Sequence, residues 1–345
     1  MVGGGITGCA AALTLAQAGL KVRLHEAREI AGGASGRNGG FALRGGAAPY
    51  DVTIETIGRE PAARYWRMTE EALDKLAALA GDACRRTGSL RLADDGQERD
   101  ELGVEYEALR ADGFAAEWVD EPLAGRFQAA IFHPADAALQ PARWVRRLAV
   151  LAAEAGAEIR EHDRVQSPEQ LDAEQVLVAT DGYLSGLLGQ LEGLIVPTRG
   201  QMIATEPIGE RLFDCPHYGR HGFDYWQQTP DGRILAGGFR DSALQEEFTS
   251  EEVTTAGIQD ALEAFVASLV GRRLRVDYRW AGLFGLVMDF LPVVGRVPGE
   301  ERVWVAGGYS GHGNVLGLLC GDLAAQAMLG REAPELAWMD PARLL

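Results

Sequence analysis

The chain has 345 residues, of which 47% are hydrophobic, so it is long enough to fold as two domains with sizeable cores. Its formal net charge of −17 argues against nucleic acid or an anionic membrane as a partner, because both would repel it. The sequence has neither a signal-peptide pattern nor an apolar run of about 18 residues, which predicts a cytoplasmic protein without a membrane segment. Its four widely separated cysteines indicate neither a disulfide framework nor a zinc site, and the oligomeric state stays open.

The chain opens on a glycine loop in which Gly3, Gly5 and Gly8 have the spacing of a dinucleotide-binding turn. One glycine allows the tight turn, one lets backbone N–H groups reach a pyrophosphate, and one lets the following helix pack closely on its strand. A helix is predicted over residues 6–18, and its positive end would face the anion. The strand before the loop is reduced to residues 1–2, where about five residues are usual.

A strand over residues 21–25 is predicted next, and Glu26 closes it. A carboxylate at that place accepts hydrogen bonds from the ribose of an adenine dinucleotide. Glycine loop, helix, strand and acid in this order favour a dinucleotide site over an unrelated loop.

A second glycine-rich stretch, residues 31–40, is predicted to be a loop without helix or strand. It is either a flexible linker or a backbone path close to a flat cofactor, with Ser35, Arg37 and Asn38 as polar contacts. Helices over residues 60–79 and 101–110, with a strand over 89–92 between them, are predicted to form a cap over the cofactor domain.

The middle of the chain is predicted first to return to the sheet of the cofactor domain and then to form a second, antiparallel sheet. A helix over 141–155 and strands over 157–165 and 175–179 predict that the cofactor domain is discontinuous in sequence. The new sheet is predicted to roof the site, with helices on one side. Its predicted elements are strands over 199–205, 223–229, 233–236 and 275–280 and a helix over 251–269.

The last part of the chain repeats the glycine pattern, with a strand over 303–306, a loop over 307–313 and a helix over 314–329. The start of this helix is a second place for an anion. A reduced flavin carries negative charge at its N1/C2 edge, which a helix N-terminus stabilises. One such loop at each end of the chain favours FAD over NAD.

Together these residues resemble the FAD-dependent amine and D-amino-acid oxidases typified by glycine oxidase and sarcosine oxidase, and most closely the gamma-glutamylputrescine oxidase-like branch. The motifs run in family order over nearly the whole chain, at residues 3–8, 26–28, 33–40, 179–182, 197–201, 280–282, 289–295 and 308–313. The resemblance implies FAD binding and oxidation of a C–N bond with release of an imine. Hydride from the α carbon would pass to flavin N5, the imine would be hydrolysed, and O2 would reoxidise the flavin.

The fold class expected is α/β, a Rossmann-type FAD-binding domain with an inserted α+β substrate domain built on an antiparallel sheet. The FAD-binding domain would take residues 1–48, 139–198 and 288–345. The substrate domain would take residues 49–138 and 199–287.

The predicted site residues fall into three groups. The expected cofactor contacts are Gly3, Gly5, Ile6, Thr7, Gly8, Glu26, Ala27, Arg28, Ser35, Gly36, Arg37, Asn38, Gly39, Gly40, Val165, Ala179, Thr180, Gly182, Gly308, Tyr309, Ser310, Gly311, His312 and Gly313. The expected substrate wall is aromatic, as suits an aliphatic amine or cation: Tyr50, Tyr225, Trp226, Trp280 and Phe284. The catalytic candidates are His312, Arg37, Tyr225 and Trp280, although core packing is the alternative for the aromatic residues and backbone satisfaction the alternative for His312.

Three departures from the family pattern refine these expectations. Phe284 stands where amino-acid-oxidising members place an arginine for the substrate carboxylate, which favours amines without that group. No cysteine lies in 282–289, so FAD would be held non-covalently. The stretch over 165–175 is shorter than in the family, so that corner should be trimmed.

The electron acceptor stays open, because the chain has only two lysines, Lys21 and Lys75, and neither lies in the predicted substrate sheet. The lysine that promotes reaction with oxygen in the sarcosine oxidase type is therefore missing. Arg37 or protonated His312 would supply the charge, or electrons would pass to another acceptor in an amine or amino-acid dehydrogenase. A catalytically silent FAD binder with a short first strand is a further alternative. An NAD-dependent dehydrogenase would leave residues 310–313 unexplained.

Overall fold

A computed structural model describes residues 1–345. The helices are α1 (Ile6–Gln17), α2 (Ala34–Arg37), α3 (Tyr50–Ile57), α4 (Arg59–Ala80), α5 (Gly96–Ala111), α6 (Pro122–Gly125), α7 (Pro141–Glu154), α8 (Leu244–Glu247), α9 (Ala256–Val270), α10 (Gly313–Met328) and α11 (Leu336–Met339). The strands are β1 (Arg23–His25), β2 (Phe41–Ala42), β3 (Cys84–Arg85), β4 (Ser89–Ala93), β5 (Glu117–Asp120), β6 (Ala129–His133), β7 (Ala137–Leu139), β8 (Glu158–Arg160), β9 (Val176–Val178), β10 (Val196–Thr205), β11 (His217–Gly219), β12 (Asp224–Gln228), β13 (Ile234–Gly238), β14 (Val276–Leu286), β15 (Val293–Arg296) and β16 (Val303–Gly307).

The cofactor side of the fold is a parallel sheet whose centre is filled by Val2. β8 pairs with β1, and β9 pairs with β16, both in parallel, while β15 adds an antiparallel edge. Val2 bridges His25 of β1 and Val178 of β9, so it takes the place of the strand that the sequence lacks. The Val2 N–H donates to Leu177 O at 2.9 Å, and Ala179 N–H donates to Val2 O at 2.8 Å. The short first strand is therefore hydrogen-bonded on both sides.

Small residues let α1 and α10 cross closely beneath this sheet. A Cβ on Gly321 of α10 would lie 2.5 Å from the Thr7 carbonyl of α1, which only glycine allows. Ala10, Ala11 and Ala12 of α1 are buried in the same cluster. This contact fixes the N-terminus of α1 against the N-terminal half of α10, and both helix starts point to the same region.

The substrate side is an eight-stranded sheet in the order β14, β10, β13, β12, β11, β4, β6 and β5. The β12–β13 hairpin predicted around residues 230–232 is confirmed. All neighbours are antiparallel except β11 and β4, which are parallel, so the expected antiparallel sheet is mixed at this one pair. β4 therefore belongs to the large sheet instead of a separate cap. α9 covers one face, where its Leu262 packs in a core cluster with Ile203 and Trp226.

Several predicted boundaries were wrong for reasons that lie in long-range contacts. Residues 31–40 contain one helical turn, α2, although their glycines predicted a plain loop. α9 begins at Ala256 and not at residue 251, because Gln201 holds the preceding Thr255 through hydrogen bonds to its backbone and hydroxyl. β8 ends at Arg160 and not at residue 165, and a 3-10 turn over Pro168–Gln170 lies between it and β9. No helix combines the length and apolar character needed to cross a bilayer.

Candidate cofactor and substrate cavities

Two adjoining cavities lie between the parallel sheet and the eight-stranded sheet. The glycine-loop cavity, of about 190 Å³, is lined by residues 2–5, Glu26, Ser35 and Thr180 among others. The sheet cavity, of about 430 Å³, is lined by Tyr225, Phe284 and His312 among others. The two cavities share the residues Ala34, Asn38, Phe284, Gly311 and Asn314. The two cavities therefore adjoin along a shared wall.

The backbone of the glycine loop accepts no side chains at the predicted positions. Gly3 has a φ of 107°, and a Cβ on Gly8 would lie 2.0 Å from the Gly3 carbonyl oxygen. A Cβ on Gly5 would lie 2.7 Å from the hydroxyl oxygen of Ser35, which accepts a hydrogen bond from Ile6 N–H at 3.0 Å. Gly3, Gly4 and Gly5 therefore present bare backbone to the cavity just before α1, as a pyrophosphate site requires.

Glu26 fixes the far side of this loop. One carboxylate oxygen accepts from Gly4 N–H and the other from Arg28 N–H, both at 2.7 Å. The carboxylate lines the cavity, so its remaining lone pairs face the space that a ribose would fill. The hydroxyl of Thr180, also in this wall, is buried without a hydrogen-bond partner and thus offers a free polar group to a ligand.

Most residues predicted to hold the cofactor line the joined cavities. The glycine-loop cavity contains Gly3, Gly5, Thr7, Glu26, Ala27, Arg28, Ser35, Asn38, Val165, Ala179, Thr180, Tyr309, Gly311 and Gly313. The sheet cavity contains Arg37, Asn38, Gly39, Ser310, Gly311 and His312. The remaining predicted contacts, which line neither cavity, are Ile6, Gly8, Gly36, Gly40, Gly182 and Gly308. These glycines lie behind the wall, where close backbone approach excludes a Cβ, as at Gly36, whose Cβ would lie 2.0 Å from Ala31 O.

Of the expected aromatic wall, only Tyr225 and Phe284 line the sheet cavity. Tyr50 is fully buried and donates its hydroxyl hydrogen to Asp112 at 2.6 Å. Trp226 is buried in the core beneath the eight-stranded sheet. Trp280 donates its indole N–H to the Arg37 carbonyl at 2.7 Å and so supports α2 from behind. Tyr50 and Trp226 therefore pack in the core and do not line the sheet cavity. Trp280 lies behind the cavity wall and stabilises α2 through its hydrogen bond to Arg37.

This geometry agrees with a comparison against known protein families. The model of the DAO family, described as FAD-dependent oxidoreductases, matches residues 1–327. The chain belongs to the DAO family.

Curated relatives and solved structures agree over the full length of the DAO fold. The chain is 29% identical over 361 residues to gamma-glutamylputrescine oxidoreductase of Escherichia coli (strain K12), covering 96% of this chain and 83% of the relative. It is 27% identical over 359 residues to glycine oxidase of Bacillus licheniformis, covering 96% and 92%. The crystal structure of L-proline dehydrogenase from P. horikoshii superposes with a TM-score of 0.81 at 22% identity, covering 99% of this chain and 96% of that one, which shows a shared fold.

Asp181 is a structural part of the DAO site that the sequence motif contained but did not single out. Its carboxylate accepts hydrogen bonds from Gly285 N–H at 2.9 Å and from Gly308 N–H at 2.8 Å. It therefore ties β14 to the loop before α10, where the two cavities meet. The only signal in the sequence was a lone acid directly after a buried strand.

Asn38 and Asn314 form a second junction that joins the glycine-rich stretch to α10. Asn38 donates to the Asn314 side-chain oxygen at 3.2 Å, and Asn314 donates to the Asn38 oxygen at 3.0 Å. Both line both cavities. Asn314 was not predicted, because its partner lies 276 residues away.

His312 is neutral in this site. Burial, together with the charges of Arg91 and Arg240, lowers the pKa of His312 to about 4. Its Nδ1 is buried without a partner, although the ring as a whole keeps some exposure to the cavity. The expectation that protonated His312 supplies a positive charge at neutral pH is therefore wrong.

The arginine expected to replace that charge is balanced by an acid. Arg37 lies 3.3 Å from Glu252, whose other oxygen pairs with Arg28 at 2.5 Å. Tyr183 also donates its hydroxyl hydrogen to Glu252. Glu252 thus binds the guanidinium groups of Arg28 and Arg37 together, a contact that no sequence pattern indicated.

Proposed function

We propose that this chain oxidises the C–N bond of a small amine or amino acid, with FAD bound non-covalently and with O2 or another molecule as the final electron acceptor. The observation that carries the proposal is a pair of adjoining cavities, one at the glycine loop before α1 and the other lined by Tyr225, Phe284 and His312. Its relatives named for oxidation of gamma-glutamylputrescine and glycine support the same class of substrate.

The residues of the joined cavities fit FAD. The start of α1 and the side-chain-free positions Gly3 and Gly5 would hold the pyrophosphate, and Glu26 the ribose. The start of α10, at Gly313, and the Asn38 amide line the passage toward the sheet cavity. When bound, FAD supplies the two-electron acceptor, chemistry for which no side chain is suited. None of the four cysteines lines either cavity, in keeping with a non-covalent site.

The side chains of the sheet cavity would prepare the substrate. His312 lines this cavity and would contact the substrate as a neutral imidazole. Burial raises the pKa of Tyr225, so its phenol stays protonated and can donate a hydrogen bond. Phe41, Phe223 and Phe284 line the same space and exclude water from it.

A dehydrogenase is the second candidate, and it is favoured by the charges around the site. Neither lysine lines the joined cavities, His312 is neutral, and Arg37 is paired with Glu252. None of the cationic groups expected from the sequence to promote reaction with oxygen is therefore free, and Arg240 is the remaining cation of the sheet cavity.

One experiment tests both forms of the proposal. The purified holoprotein should be yellow, and acid precipitation should leave FAD in the supernatant. An anaerobic panel of amines and amino acids should bleach the flavin absorbance with at least one compound. Peroxide released in air then marks an oxidase, and bleaching with dye reduction but no peroxide marks a dehydrogenase. Protein that binds FAD but is bleached by no member of the panel would contradict the proposal and leave a silent flavin binder.

We also propose the domain division expected from the sequence, with FAD-binding segments 1–48, 139–198 and 288–345 around substrate segments 49–138 and 199–287. It is supported by the strands of the eight-stranded sheet, which end with β14 at Leu286. Limited proteolysis of the holoprotein that cuts preferentially near these boundaries would support it, and cuts confined to the sheet interiors would contradict it.

A further inference from the structure

Arg240 is a cation of the sheet cavity whose role the proposed reaction does not use. It begins a 3-10 turn, Arg240–Ala243, directly after β13, and its side chain lines the cavity together with Tyr225 and His312. Its guanidinium lies over two rings, 4.5 Å from the centroid of Phe223 and 5.5 Å from that of Phe284. The side chain is thus held in place by aromatic faces.

No acidic side chain pairs with Arg240. Burial lowers the pKa of Arg240, and the two carboxylates whose charges raise it are those of Asp241 and Glu247. Asp241 pairs with Arg220 at 2.8 Å, and Glu247 pairs with Arg199 at 2.7 Å. Neither acid lies within the 4.0 Å of an ion pair with Arg240.

Each of the other arginines of the sheet cavity has an acidic partner. Arg37 pairs with Glu252, which it shares with Arg28, Arg44 pairs with Glu70, and Arg91 pairs with Glu105. Arg240 is therefore the arginine of this cavity that has no ion-pair partner, in a chain whose net charge is −17. A partly buried charge without a partner is costly, and a bound anion would relieve that cost.

The stacking leaves the hydrogen-bond donors of Arg240 free. Cation–π contacts use the flat face of a guanidinium, whereas its N–H groups point outward in the plane. Those donors form a fork that matches the two oxygens of a carboxylate. Arg240 forms no hydrogen bond within the protein, so the fork is available to a ligand in the cavity.

We propose that Arg240 binds a carboxylate group of the substrate, so that the substrate is an amino acid or another amine that carries a carboxylate. This inference rests on the proposed C–N oxidation in the same cavity. It reverses the expectation drawn from Phe284, because that ring does not remove the carboxylate site but helps to hold the arginine that forms it. His312 lines the same cavity as Arg240.

The test compares the holoenzyme with Arg240→Gln, using benzoate and neutral benzamide as probes titrated by calorimetry and by the flavin spectrum. Because hydrogen bonds to charged groups are the strong ones, benzoate should bind at least about tenfold more weakly to Arg240→Gln, and benzamide should bind equally to both. Arg240→Lys keeps the charge without the fork and should retain an intermediate affinity for benzoate. If Arg240→Gln fails to retain FAD, the benzoate affinity of Arg240→Lys still tests the role of Arg240.

The control is Arg296→Gln, which removes a guanidinium that lies 5.0 Å from the centroid of Trp304, outside both cavities. It should leave benzoate binding at the wild-type value. Equal benzoate binding by wild type, Arg240→Gln and Arg240→Lys would overturn the inference. A change in flavin potential in Arg240→Gln without a change in benzoate affinity would also overturn it, because Arg240 would then act on the cofactor.

Paired substrates separate this inference from the proposed reaction. The pairs are amino acids in both enantiomers and the amines that remain after decarboxylation, such as alanine with ethylamine and proline with pyrrolidine. Wild type should be bleached at least about tenfold faster by the acid member, and Arg240→Gln should lose that preference. Faster bleaching of wild type by the plain amines would overturn the role of Arg240 and leave C–N oxidation intact. Bleaching by no pair would count against the reaction, while the benzoate titration would still decide on Arg240.

Discussion

The two joined cavities are built in opposite ways. In the glycine-loop cavity, the main polar side chain is Glu26, and its carboxylate already accepts hydrogen bonds from the backbone N–H groups of Gly4 and Arg28. In the sheet cavity, side chains from distant segments meet, and His312 Nδ1 and the Arg240 guanidinium find no partner in the protein. The first cavity leaves the Thr180 hydroxyl without a partner and fits a ligand common to the DAO family. The second has free groups, so its ligand must supply the missing charge and hydrogen bonds.

The largest effect expected is in the backbone of the first cavity, from Gly8→Val. The new Cβ would lie 2.0 Å from the Gly3 carbonyl oxygen, which cannot move without moving the loop. Overpacking of this kind costs typically about 1–3 kcal/mol, and here it also displaces the anion site. We expect loss of FAD and a lower Tm. The ratio of absorbance at flavin and protein wavelengths after purification, together with thermal unfolding, measures both.

Gly103→Ala is the matched control, because a Cβ there has no atom within 4 Å and Gly103 lies inside α5. Its expected effect is a stabilisation of about 0.5–1 kcal/mol with full FAD content. Full FAD content in Gly8→Val would contradict the assignment of the pyrophosphate to this loop.

A smaller effect is expected from Glu26→Ala in the same cavity. The substitution removes two charge-assisted hydrogen bonds of 2.7 Å, each of a kind worth about 1.5–3 kcal/mol, and the proposed ribose acceptor. The dissociation constant of FAD, measured by fluorescence titration of apoprotein, should rise at least about tenfold. Glu29→Ala, at an exposed neighbour, should leave it unchanged. Tighter or equal binding by Glu26→Ala would remove Glu26 from the site.

Sequence reasoning succeeded where neighbouring residues carry the whole signal. The glycines of the first loop, Glu26 and the hairpin over residues 224–238 act through local backbone geometry, and the structure has them as predicted. It failed where distant packing decides. Trp226 reads like a cavity residue but is buried beneath the sheet, and Arg240 carries no motif because its partners are two rings, Phe223 and Phe284. The charge balance of a cavity depends on which acids are already paired, and that is a property of the fold.

A prediction for the second region concerns its stability in acid. Burial lowers the pKa of His217 to about 4, and the ring stacks on Trp226 with a centroid distance of 5.1 Å. At pH values between the folded pKa and the unfolded pKa of about 6.5, His217 binds more protons in the unfolded chain than in the folded one. The titration of His217 therefore leaves the free energy of unfolding unchanged above pH 6.5 and lowers it as the pH falls toward 4. From pH 7.5 to 5 the loss due to His217 is about 2 kcal/mol.

His217→Phe keeps an aromatic ring and removes the titration. Urea unfolding at pH 7.5 and pH 5 should therefore show a smaller acid-dependent loss than in wild type, whatever the variant's stability at pH 7.5. Burial also lowers the pKa of His133 below its usual range, which adds the same loss to both proteins. An unchanged pH dependence in the variant would show that His217 titrates normally in the folded state.

The smallest effect is expected at the boundary between the cavities, from Arg37→Gln. Glu252 already balances Arg37 at 3.3 Å, and partly exposed pairs of this kind contribute about 0–1 kcal/mol. Reduced holoenzyme mixed with oxygenated buffer should therefore be reoxidised at nearly the wild-type rate. Glu252→Gln is the sharper partner variant, because it frees the charges of Arg37 and Arg28 and should accelerate the reaction. Adding Arg37→Gln should remove the part of that acceleration that is due to Arg37. Slow reoxidation in Arg37→Gln alone would mean that the Arg37 charge acts despite Glu252, and the site would then have a second active cation beside Arg240.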